Sequence, residues 1–170
     1  MENTSKKKFK SPKDYLEKME TYRLSSFIDR KTGLIYDHWR PRIRSMYMGL
    51  DRFIESQNRY DTYQTALEEI RAGKKKTHWI WFIFLQRLGL GKSEKSDYYG
   101  LSREEAQEYI NHPLLRARLI EVTEAVYNNE KSVYEIFGND AIKVCSCMKL
   151  FASVSDIPIF KKMITKYCWK

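Results

Sequence analysis

The chain has 170 residues, 42% of them apolar and 14% aromatic, enough to build one buried core and well outside the disordered regime. Seven glycines and four prolines are too few for a turn-rich β-protein, and three cysteines are no disulfide framework. The formal charge is +9, no apolar run reaches the roughly 20 residues that span a bilayer, and no signal-like segment opens the chain. These features predict a basic cytoplasmic protein without a membrane partner.

The positive charge is concentrated at the front, where residues 1–50 hold 12 Lys/Arg against 6 Asp/Glu. Met1 to Pro12 reads as a lysine-rich polar tail. Asp14 to Leu24 carries Tyr15, Leu16, Met19 and Tyr22 at the spacing of a short amphipathic helix. Ser25 to Trp39 is consistent with two strands or two helices joined by the Asp29–Gly33 turn, and Arg40 to Arg44 is a cationic cluster. Residues 1–49 are therefore expected to form a basic extension, and residues 50–170 the main domain.

Within the main domain, Leu50–Ser56 and Tyr60–Ala72 read as a helical pair, with Gly73 as a C-terminal cap. Next comes Lys74 to Ser93, KKKTHWIWFIFLQRLGLGKS. Its block from His78 to Leu85 is apolar all round, so it belongs at the centre of a core. Its length and helical surroundings predict a helix over about 77–87. The Ser102-x-x-Glu105 and Ser132-x-x-Glu135 boxes predict helix starts at Arg103 and Val133. Pro113 fits the first turn of a helix running to about Asn128, with His112 near its cap. Asp140 is placed to cap a helix through about Val154, and Asp156 with Pro158 to begin a last one. The expected architecture is all-α: a single irregular multi-helix domain around a buried aromatic helix, preceded by a basic N-terminal extension.

Several residues are candidates for chemistry. The turn Gly89-Leu90-Gly91-Lys92-Ser93 lacks the first glycine of a phosphate loop, because Gln86 stands there, and it follows no strand. Its consecutive backbone N–H groups still suit an anion, although a plain interhelical turn explains the same glycines. His78 and His112 are the candidate acid–base groups, each with a structural alternative at a helix end. Trp79 and Trp81 lie two apart, so one belongs in the core and the other is free to border a pocket. Arg118 suits an anionic group. Cys145-x-Cys147 with Cys168 is poor zinc spacing, and neither a metal nor a cofactor is expected.

The chain from about Leu50 onward resembles the bacterial family called domain of unknown function 1810, often mislabelled calpastatin. The resemblance rests on Lys76-x-His78-Trp79-x-Trp81-Phe82, Gln86, Gly89-Leu90-Gly91-x-Ser93, Ser96, Tyr99, Glu105-Ala106 and Tyr109. It continues through His112-Pro113, Arg118-Leu119, Asp140, Lys143, Ser146, Met148 and Leu150-Phe151. It implies a helical fold and no established activity. It also marks His78, Gln86, Ser93, Ser96, Tyr99, His112, Arg118, Lys143 and Ser146 as family residues. Leu85, Arg116, Cys147 and Lys149 depart from the family pattern.

The leading functional expectation is a polar pocket beside the aromatic helix for an anionic, nucleotide-like small molecule, with hydrolase or transferase chemistry as an extension. Trp79, Trp81, Gln86, Gly89, Gly91, Ser93, Tyr99, Arg118, Lys143 and Ser146 are the expected ligand contacts, with His78 and His112 as the catalytic groups. The alternative is a non-catalytic module that binds nucleic acid or an acidic protein through residues 1–49.

Overall fold

The computed structural model describes residues 49–170, so the expectations for the tail, the 14–24 helix, the Asp29–Gly33 turn and the Arg40–Arg44 cluster lie outside the described residues. The described chain is helical: α1 Asp51–Asn58, α2 Thr62–Arg71, α3 Ile80–Ile83, α4 Glu94–Tyr99, α5 Arg103–Asn111, α6 Pro113–Tyr127, α7 Val133–Phe137, α8 Ala141–Val154 and α9 Pro158–Lys166. No strand forms among the described residues; the nearest thing is an isolated parallel bridge between Arg87 and Leu101. No helix there is long and apolar enough to cross a membrane.

Local chemistry sets the helix ends. Ser102 and Ser132 each form the full reciprocal capping box with Glu105 and Glu135, satisfying two otherwise orphaned amides per helix. Gly73 follows α2 with φ +74 and Gly138 follows α7 with φ +55, a backbone state that costs glycine little. Two expectations need correction. Asp140 occupies the position before α8 but its side chain caps nothing. Asp156 does not open α9, which begins at Pro158 after Ile157.

The central block departs most from its expectation. Only Ile80–Ile83 is helical, a single turn, and the chain on either side is irregular. Aromatic and β-branched residues are weak helix formers, and tertiary partners take over the backbone. Glu69 accepts the Lys76 and Thr77 amides, and Leu101 N–H donates to the Gln86 carbonyl at 2.8 Å while Leu88 N–H donates to that of Leu101. The block is central all the same, since Trp79, Ile80, Ile83, Phe84 and Leu85 are all buried.

Around it the core runs through ring contacts. Trp79 and Phe84 both meet Phe137 of α7 edge-on. A second string passes from Phe53 in α1 to Tyr109 in α5, Phe151 in α8 and Phe160 in α9, with centroids 5.4–5.8 Å apart. Helix α8 packs on α9, α5 and α7, and α2 on α6. One buried ion pair bolts α1 to the α4–α5 corner. Arg52 donates to the carbonyls of Tyr98 and Gly100 and lies 3.1 Å from Glu105.

A cationic cleft beside the exit of the aromatic block

The block leaves the core through Gln86, whose buried amide nitrogen donates to the Phe84 carbonyl and, at 2.7 Å, to that of Lys143 in α8. This pins the exit segment to the first turn of α8, and Arg87 beside it is exposed. The following turn is held by shape. Gly89 has φ +90, which disfavours any side chain. A β-carbon on Gly91 would fall 2.5 Å from the Ser96 side chain and 3.9 Å from the Trp81 ring. Ser93 then caps α4, its oxygen accepting from the Ser96 amide.

Between this exit and the outer face of α8 lies a cleft of about 430 Å³, lined by Arg87, Leu90, Arg103, Ser146, Lys149, Leu150 and Ser153. Three side chains are cationic and none is a carboxylate. Arg103 donates to the Ser153 carbonyl, and Lys149 to the terminal main-chain oxygen of Lys170. Neither Arg87 nor Arg103 makes an ion pair among the described residues. The Ser146 and Ser153 hydroxyls donate to backbone carbonyls of their own helix. Leu90, 62% exposed on its glycine-flanked turn, and Leu150 supply an apolar wall.

The sequence-chosen residues distribute over four places. Trp81, Gln86, Gly91, Ser93, Lys143 and Ser146 gather around this exit, with Gly89 in the turn itself. Lys143 is spent locally: its ammonium lies 2.6 Å from Asp140 and 4.5 Å from the Trp81 ring centroid. Lys75 meets the other Asp140 oxygen at 3.0 Å. Burial raises the Asp140 acid, but its hydrogen bonds to Lys143 and Lys75 outweigh this and hold the carboxyl below its ordinary range. This Lys–Asp–Lys set clamps the block entry to α8 and holds the Lys143 ammonium on Asp140, away from any ligand.

Tyr99 and Arg118 form a second group, linked through α1. Tyr99 hydrogen-bonds Ser56 and packs on Phe82. Arg118 donates to Gln57 and Asn58 and stacks on Tyr63. Buried Gln57 completes the link by donating to the Phe82 carbonyl and Tyr109 hydroxyl. Trp79 is the core member of the tryptophan pair; its indole N–H donates to Glu69 at 2.8 Å. His112 accepts from the Leu115 amide as the cap of α6. His78 is exposed at the block entry. Neither histidine lines the cleft. The described residues contain no group of three or more His, Cys, Asp or Glu arranged to hold a metal.

Arg87, Arg103, Lys149, Leu90, Leu150 and Ser153 were not among the chosen residues. The cations come from the exit segment, the first turn of α5 and α8, so no sequence window holds them together. The available signal was Ser146 with Lys149, at i and i+3 on one helix face.

A family model described as "Protein of unknown function (DUF1810)" matches residues 47–169. The crystal structure of the conserved hypothetical protein Rv1873 from Mycobacterium tuberculosis is similar at 44% identity. The likeness covers 70% of this chain and 86% of that one, with a TM-score of 0.67. No curated protein matches.

Proposed function

The chain belongs to the DUF1810 family of proteins of unknown function, and we propose that its helical domain binds an anionic small molecule, phosphate-bearing and nucleotide-like, in the cleft between the block exit and α8. One observation carries the reading: Arg87, Arg103 and Lys149 converge on a 430 Å³ hollow that no carboxylate lines. Like charges brought together with no carboxylate side chain between them repel one another, so the arrangement is stabilised by an anion arriving there. Leu90 and Leu150 take the uncharged part of the ligand. The binding role is the one this geometry supports, because the cleft is lined by cations and hydroxyls rather than by an acid–base pair.

The experiment is a thermal-shift series on the full chain with inorganic phosphate, ATP and uncharged adenosine. A ligand present at 100 times its dissociation constant adds about 2.7 kcal/mol to stability. ATP is expected to raise the melting temperature and adenosine to leave it unchanged. Arg87→Ala and Lys149→Ala are expected to abolish the rise without lowering the unliganded melting temperature, because both side chains are exposed. Equal stabilisation of wild type and both variants contradicts the site.

A further inference from the structure

A second basic surface lies along α9. From Ile157 to Lys170 the chain holds Lys161, Lys162, Lys166 and Lys170 and no acidic residue. Lys161, Lys162 and Lys166 line a shallow groove of about 600 Å³ with Tyr127, Asp156, Pro158 and Thr165. Asp156 partly neutralises Lys161 at 3.7 Å. Lys162 makes no ion pair among the described residues. Lys162 and Lys166 are four residues apart on α9, which puts them on one face with a rise of about 6 Å.

Aromatic rings stand beyond the end of this groove. Helix α9 closes in a Schellman turn: Cys168 N–H donates to Thr165 and Trp169 N–H to Ile164, with Cys168 at φ +53. A non-glycine residue in that state costs about 1 kcal/mol, and the turn lays the Trp169 ring on Tyr167, centroids 5.2 Å apart at 28°. Tyr134 of α7, 57% exposed, receives the Trp169 indole N–H at 3.2 Å and meets Tyr167 edge-on. Lys166 lies over the rings of both Tyr127 and Tyr167.

We infer that the α9 groove and the Tyr134–Tyr167–Trp169 platform bind single-stranded nucleic acid, with Lys162 and Lys166 on consecutive phosphates and an unpaired base on the Trp169 ring. Lysines along a groove track a backbone without reading sequence, and aromatic faces accept any unpaired base. An anionic membrane is the lesser fit, because no large aliphatic side chain is exposed between Ile157 and Lys170. A duplex is disfavoured because its bases are already stacked.

Fluorescence anisotropy of the full chain with labelled 20-nucleotide oligo(dT), repeated with a duplex of equal length, tests this. The single strand is expected to bind tighter. Lys162→Ala/Lys166→Ala is expected to lower the slope of log affinity against log salt by about 1.4, two phosphates at roughly 0.7 each. Trp169→Ala is expected to weaken binding about tenfold at unchanged slope, since one base stack is lost, and Trp169→Phe to restore most of it. Equal affinity for the duplex, a Trp169→Ala protein that binds as wild type, or Trp169-dependent binding to anionic vesicles but not to oligo(dT) would each overturn the assignment. Binding that survives all three substitutions overturns it too, because it belongs to another surface.

Discussion

Glu69 holds the entry of the aromatic block, and removing its carboxylate tests whether that block is fixed by polar contacts or by packing alone. One oxygen accepts the Lys76 amide at 2.7 Å, the Thr77 amide at 3.1 Å and the Trp79 indole N–H at 2.8 Å; the other accepts the Thr77 hydroxyl at 2.8 Å. In Glu69→Ala the exposed Thr77 and Lys76 groups turn to water at small cost. The Trp79 N–H has no such exit, because its side chain is wholly buried. An unsatisfied buried donor costs about 1–3 kcal/mol, and losing a bond to a charged acceptor about 1.5–3 kcal/mol. A net loss of about 3 kcal/mol follows. A domain of this size has a total stability on the order of 6–18 kcal/mol, so the loss is large. The assay is urea unfolding followed by far-ultraviolet circular dichroism. With a slope of about 1.5 kcal/mol/M the midpoint falls by about 2 M. The pH dependence has a definite sign. Burial raises the Glu69 acid, but the hydrogen bonds from Lys76, Thr77 and Trp79 outweigh it and hold the carboxyl below its ordinary value. Its contribution is therefore present above the unfolded-state carboxyl range and disappears as pH falls through the lower folded value. The gap between wild type and Glu69→Gln should narrow on acidification. A Glu69→Ala loss under about 1 kcal/mol, or a gap that widens in acid, refutes the reasoning.

Other outcomes follow from the same structure. Arg52→Ala strands a buried Glu105 carboxylate and should cost about 3–5 kcal/mol, measured by chemical denaturation; a loss below 1 kcal/mol would show the pair to be idle. Gly100→Ala places a β-carbon 2.6 Å from the Ser96 carbonyl and 3.0 Å from the Leu88 Cα. Overpacking against backbone should lower stability by about 1–3 kcal/mol, read as a fall in melting temperature. Thiol labelling should separate the cysteines. Cys168 is exposed and should react at once, while burial pushes the Cys147 thiol well above its ordinary range, so it should react only on unfolding.

The helical framework was legible because its signals are local. The Ser102 and Ser132 boxes, Pro113 after His112 and Gly138 each act within four residues, and each lies where the sequence placed it. Helix α4 was missed because it is six residues long and Ser93-x-x-Ser96 lacks the glutamate of a capping box. The aromatic block was correctly read as central and misread as a long helix. Its amides are captured by Glu69, seven and eight residues upstream, and its exit pairs with Leu101; no periodicity reports partners at that distance. For the site, Ser146 lines the cleft and Gln86 directly precedes its Arg87, whereas Arg118 bonds Gln57 and Tyr99 bonds Ser56 on α1. Lys143 illustrates the general difficulty. Its charge was visible in the sequence, but the Asp140 carboxylate that it shares with Lys75 reaches that residue 65 positions upstream, which no local pattern reports.

The most direct test of the proposed anion site is a titration of isotopically labelled full chain with inorganic phosphate, followed by amide chemical shifts. Saturable shifts concentrated at Arg87, Leu90, Arg103, Ser146 and Lys149, and lost in Arg87→Ala/Lys149→Ala, are the predicted result. Shifts that grow linearly without saturating, or that centre on Arg118 and Tyr63 instead, would contradict it.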